Sequence, residues 1–186
     1  MSFKENRPVA WGVLAAVVIG CTLLSGGTGL ARERQNANTF YSAGESISAD
    51  LREASDNAYV MLGIAQRYPD HFGEELLTAA QEAIDGLRDA LGEGEVSWMY
   101  EAACTLTDCV EDLYTVGGSL EMQGNDGEDF RYKYKNFTSA NLRISHDPYN
   151  DSAAEFNRLL SGFPAGLIGS VCGIDALQPF DSAQAR

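Results

Sequence analysis

The stretch Val9 to Leu24 (VAWGVLAAVVIGCTLL) carries no charge. A helix built from it has no polar face to turn toward water, which argues against an ordinary surface helix. Lys4 and Arg7 precede the run, and Arg32 and Arg34 follow it. If the helix continues through the Gly-rich Ser25–Gly29 to Ala31, it is about 34 Å long, enough to cross a bilayer. Three readings compete. The first is a single-pass anchor whose partner is the lipid bilayer, through residues 9–31. The second is a cleaved signal peptide with a basic start and a short apolar core. The third uses Val18-Ile19-Gly20-Cys21, which has the form of a bacterial lipobox, with Cys21 as the lipidated residue. The apolar run continues past Cys21, which argues against cleavage there. Charge on the two flanks is nearly balanced and leaves the orientation open.

The rest of the chain reads as an acidic head. The formal net charge of -14 makes nucleic acid and anionic surfaces poor partners for the bulk of the protein. Cys21, Cys104, Cys109 and Cys172 are scattered and form no CxxC pair, so neither a zinc ribbon nor a thioredoxin-type site is supported.

Helical periodicity dominates beyond the anchor. Gln35–Gly44 is polar and small, a linker or the frayed start of the first long helix. From Glu45 the positions Ile47, Leu51, Ala54, Ala58, Met61 or Leu62, Ala65 and Tyr68 repeat at helical spacing, and Pro69 ends or kinks that helix. Asp70 is the expected cap of the next helix, with Phe72, Leu76, Ala79, Ala83, Leu87 and Ala90 as its stripe and Gly92 and Gly94 as its stop. Ser97 is the expected cap of a third, whose seam is Val96, Met99, Ala103, Leu106, Val110, Leu113, Gly117 and Leu120. Gln123–Asp129 reads as a loop, and Phe130, Tyr134, Phe137 and Ile144 begin a fourth helix.

The seam then slips by five residues, from Ile144 to Tyr149, across Asp147-Pro148. This spacing predicts a break at residues 145–148, with Asp147 capping and Pro148 in the first position of a new segment. Tyr149, Ala153, Phe156, Leu160, Phe163 and Leu167 step by four and three, so they belong on one helical face. Tyr149, Phe156 and Phe163 are therefore expected as core aromatics one heptad apart. Asn150 and Asn157, also seven apart, are placed to hydrogen-bond across helices and fix register. Pro164 and Gly166 should disrupt the helix after Phe163, and the tail from Asp181 is polar. No sustained strand alternation exists.

Tyr149-Asn150, Ala153, Phe156-Asn157, Leu159-Leu160 and Phe163-Pro164 resemble, without a gap, the C-terminal pattern of the LemA family. Leu167-Ile168, Gly173-Ile174 and Pro179-Phe180 sit where such proteins carry Leu-Ile, Gly-Phe and an aromatic close. The specific match covers about the last quarter of the chain. It departs at Ser139-Ala140-Asn141-Leu142, where the family has Glu-Asn-Arg-Ile, and at His146-Asp147-Pro148, where the family is basic. The resemblance implies an all-α, antiparallel long-helix bundle of the four-helix type on one N-terminal transmembrane helix. It also implies a bacterial membrane location, usually drawn with the bundle in the cytoplasm, and a link to membrane remodelling without any common activity.

The expected organisation is an anchor at 1–31, a linker or helix start at 32–44, a bundle at 45–174 and a C-terminal tail at 175–186. No nucleophile–base set, Gly-rich phosphate loop or metal-ligand cluster stands out, so no catalytic residue, cofactor or metal is expected. The functional expectation is a non-catalytic scaffold or adaptor in the bacterial envelope, with a protein partner or self-association through the bundle. The alternative is an accessory factor of an envelope-stress or proteolysis system, or an enzyme. That alternative requires a polar pocket between helices holding a perturbed carboxylate or His.

Overall fold

The computed structural model describes residues 7–42 and 47–180. Lys4, the start of the first bundle helix at Glu45, and the tail 181–186 lie outside the described residues. The described chain is helical, with no strand among those residues. In order its helices are α1 (Arg7–Ser42), α2 (Ile47–Ala65), α3 (Pro69–Phe72), α4 (Glu74–Glu93), α5 (Val96–Gly117), α6 (Asp126–Ser145), α7 (Pro148–Ser161) and α8 (Ala165–Cys172). The chain divides into two compact units. One is Met1–Thr39 with Ser152–Leu177, and the other is Phe40–Asp151 with Gln178–Arg186.

The first unit holds α1 as far as Thr39. The glycines at 26, 27 and 29 do not end it, and residues 35–42, read as a linker or a helix start, continue the same helix. Leu14–Ala37 is long and apolar enough to cross a membrane. Leu14, Val17, Val18, Ile19 and Leu24 are exposed on it. The glycines serve close approach. A methyl group at Gly26 would lie 2.7 Å from Ile168 Cδ1, and one at Gly27 would lie 2.8 Å from Cys172 Sγ, so α8 packs directly on the α1 backbone.

The second unit is built around α2. Its buried face (Ile47, Leu51, Ala54, Ala58, Met61, Leu62, Ala65) packs on α6, α4 and α5, and α4 pairs with α5. Ion pairs fix the direction of α2 against α6. Arg67, just past the end of α2, meets Asp126 at the start of α6 (2.6 Å), while Arg143 near the end of α6 meets Asp50 near the start of α2 (2.7 Å). The two helices therefore run antiparallel. Along α5 the expected seam is buried at Met99, Ala103, Leu106, Val110, Leu113 and Gly117. At Gly117 the missing side chain makes room for Phe72 and Phe130, whose rings lie 5.9 Å apart.

Several boundaries differ from expectation, each for a local reason. Asp70 does not cap a long helix. Proline lacks an amide N–H and suits a first turn, so Pro69 opens the short α3, which carries Phe72 into the core. Gly73, at φ 72, then turns the chain into α4. The left-handed backbone there favours glycine. Ser97 is not the α5 cap either; Glu95 holds that position and accepts a hydrogen bond from Ser97 Oγ at 3.0 Å. The loop before α6 is shorter than expected, because Asp126, Glu128 and Asp129 form the first turn of α6, where carboxylates complement the helix dipole. Ahead of Asp181, Leu177 and Phe180 are buried.

Candidate functional site

The break predicted at 145–148 is where α6 stops and α7 starts. Pro148 is the first residue of α7, and Tyr149 N donates to Asp147 Oδ1 at 2.8 Å. His146 closes α6, its Nδ1 2.9 Å from the Leu142 carbonyl and 3.0 Å from Ser145 Oγ. This junction borders an open polar cleft lined by Ala49, Asp50, Glu53, Arg143, His146, Asp147 and Pro148.

The charges in the cleft are already engaged. Arg143 Nε donates to Asp50 and its Nη2 to Glu53. The hydrogen bond to Asp50 pushes the guanidinium pKa up most; partial burial opposes it, and the charges of Asp50 and Glu53 add to it. Burial pushes the Asp147 carboxyl above the ordinary carboxylate range, the Tyr149 N–H opposes that shift, and the charge of Asp50 adds to it. Among the described residues, no group of three His, Cys, Asp or Glu is arranged to hold a metal ion. The Arg143 pairs could not be read from the sequence, because Asp50 and Arg143 are 93 residues apart and nothing local marks either.

The motif residues separate into two kinds. Tyr149 is fully buried. Its hydroxyl donates to the Gln178 carbonyl at 2.9 Å, and its ring meets Phe180 edge-on, at 6.3 Å and 70°. Phe180 also meets Tyr100 edge-on at 5.7 Å. Asn150 Oδ1 accepts the Phe180 N–H at 2.7 Å, and Asn150 Nδ2 donates to the Ile144 carbonyl at 2.9 Å. One side chain thus satisfies both a helix-end carbonyl and the returning backbone. In the other unit, Asn157 pairs with Leu177 at both ends of the amide. Nδ2 donates to the Leu177 carbonyl and Oδ1 accepts the Leu177 N–H, each at 2.8 Å. Asn150 thus reaches from α7 to the end of α6 as well as to Phe180, whereas Asn157 bonds only to the backbone of the C-terminal stretch. Phe156 is buried.

Phe163 corrects the expected seam. It is 90% exposed, because α7 ends at Ser161 and Gly162 leads into a turn. Beyond Ser161 the heptad no longer describes a helical face. Leu167, also assigned to the seam, is exposed on α8. Pro164 follows a cis peptide bond and caps α8. Cys21 is exposed within α1, and all four cysteines are free thiols.

No family model matches the chain, and no curated protein or solved structure matches it.

Proposed function

We propose that this is a membrane-anchored helical-bundle protein of the LemA type, acting without catalysis as a scaffold or adaptor in bacterial membrane organisation or remodelling. The observation that carries the reading is α1, whose stretch Leu14–Ala37 is apolar enough to span a bilayer and leaves its large aliphatic side chains outward. The antiparallel α2–α6 pair and the α4–α5 pair are consistent with the four-helix architecture that the resemblance implies. The bound surface is the lipid bilayer, and a protein partner or a second copy engages the head.

The alternative, an accessory factor or an enzyme, draws on the polar cleft beside Asp147. Against it, each charged or imidazole group there has a structural task. Arg143 ties α6 to α2, Asp147 caps α7, and His146 closes α6.

Alkaline extraction of native membranes tests the anchor. The full chain should stay in the membrane pellet, and deletion of residues 9–31 should release it. Release by Cys21→Ser alone would replace the spanning anchor with a lipidated one. Crosslinking in intact membranes should then capture a stoichiometric partner or a dimer, and recovery of monomer alone would remove the scaffold reading.

A further inference from the structure

The chain from Leu159 to Ile174 carries no charge; Arg158 and Asp175 bound it. A short surface helix ordinarily pairs one apolar face with one polar face, and α8 does not. Ile168 is buried and, with Cys172, faces Gly26 and Gly27 of α1, while Leu167 and Val171, one turn apart on α8, are each 61% exposed. Phe163, at the turn leading into α8, and Leu159 are exposed as well. The outward side of this segment thus carries large apolar side chains, as α1 does at Leu14, Val17, Val18, Ile19 and Leu24.

We propose that Phe163 and α8 form a second membrane-contacting element, seated among the lipid headgroups and upper acyl chains beside α1. This rests on α1 being a membrane helix. Position along α1 fixes the depth. With the first charge after the apolar run, Arg32, taken as the headgroup level, Gly26 and Gly27 lie five or six residues earlier, about 8 Å of helix, so α8 meets α1 at the level of the upper acyl chains. The backbone of the segment also suits a site with little water, where each N–H and carbonyl needs an internal partner. Gly166 N–H bonds the Gly162 carbonyl at 2.7 Å, Ile168 N–H the Pro164 carbonyl at 3.1 Å, and Ile174 N–H the Gly169 carbonyl at 2.9 Å. Ser161 Oγ turns back onto the Arg158 carbonyl at 2.8 Å. Phe, like Leu, is a residue that interfacial helices carry on their apolar face. The consequence is a head fastened to the membrane at two places separated by more than a hundred residues of chain.

The test uses the full chain with single tryptophans. Trp11→Phe and Trp98→Phe remove the native pair, and Phe163→Trp, Leu167→Trp or Val18→Trp is added singly. The Trp11→Phe protein, which keeps Trp98, reports on the head. Each is reconstituted in vesicles of phosphatidylcholine and phosphatidylglycerol with brominated acyl chains, after circular dichroism confirms unchanged helicity. Tryptophan at 163 and at 167 should be blue-shifted and quenched to within about twofold of the Val18→Trp protein, with Trp98 unquenched. Quenching at 18 with water-like emission at 163 and 167 overturns this inference and leaves the anchor standing. Absence of quenching at all three overturns both.

Discussion

Asn150→Ala should loosen the C-terminal stretch and destabilise the head at once. The side chain is buried and holds the Phe180 N–H at 2.7 Å and the Ile144 carbonyl at 2.9 Å. Alanine removes both of these bonds, although the Ile144 carbonyl keeps the Asp147 N–H at 3.2 Å. A buried group stripped of its hydrogen bond costs about 1–3 kcal/mol. Because the Ile144 carbonyl keeps a backbone donor, the expected loss is that of about one stripped group, about 1–3 kcal/mol. Urea unfolding of the full chain in detergent, followed by circular dichroism, measures the loss. Hydrogen exchange of the peptide containing Phe180 locates it. Asn150→Asp is the sharper control. It keeps an acceptor for Phe180 but sets a carboxylate against the Ile144 carbonyl, so at neutral pH it should cost at least as much as alanine, and less once the acid is protonated and can donate. A loss below about 0.5 kcal/mol, with Phe180 exchange unchanged, would refute the two-ended role of this amide.

Other expectations follow from single residues. The raised pKa of Asp147 means that the folded state holds this proton more tightly than the unfolded chain does. Its contribution therefore favours folding at low pH and is lost as pH rises from the ordinary carboxylate range through the folded pKa. Asp147→Asn, which keeps an oxygen for the Tyr149 N–H, should melt higher than the parent at about pH 7, with the gap closing toward about pH 4; an unchanged gap would separate the effect from titration. Ser55 Oγ is buried with no hydrogen-bond partner, so Ser55→Ala should hold or raise stability, by up to about 1–2 kcal/mol in urea unfolding, and a clear loss would reveal a missed partner. Gly117→Ala would push a methyl group to 2.7 Å from the rings of both Phe72 and Phe130. It should cost about 1–3 kcal/mol, and a melting temperature within error of the parent would mean that the rings shift freely.

How far the sequence carried depends on whether the information was local. The α5 seam was legible because six buried positions recur at three and four residues without interruption. So was the α6–α7 break, since Pro148 and a five-residue slip both mark it. Phe163 misled because the heptad count runs through Gly162 and Pro164 in sequence while the helix does not. Asn150 and Asn157 were visible as a pair, but their partners are backbone groups at Phe180 and Leu177, and a backbone partner has no side-chain signature. The glycines of α1 left the length of its helix open in the sequence, yet Gly26 and Gly27 are where α8 seats. The Arg143 pairs were invisible because charge complementarity across 93 residues has many equivalent solutions in an acidic chain.

The antiparallel pairing of α2 with α6 has a consequence in time. Asp50 emerges from the ribosome 93 residues before Arg143, which at about 5–20 residues per second is an interval of about 5–19 s. Through it, Leu51, Met61 and Leu62 have no α6 to cover them. The α4–α5 pair, joined by the short turn at Gly94 and Glu95, needs no such wait. It can close first and offer α2 a partial shelter while the last long helix is still being made. The nascent head is thus most vulnerable to misassociation between completion of α2 and arrival of α6, the window in which a holding chaperone or an early-engaging membrane would matter most.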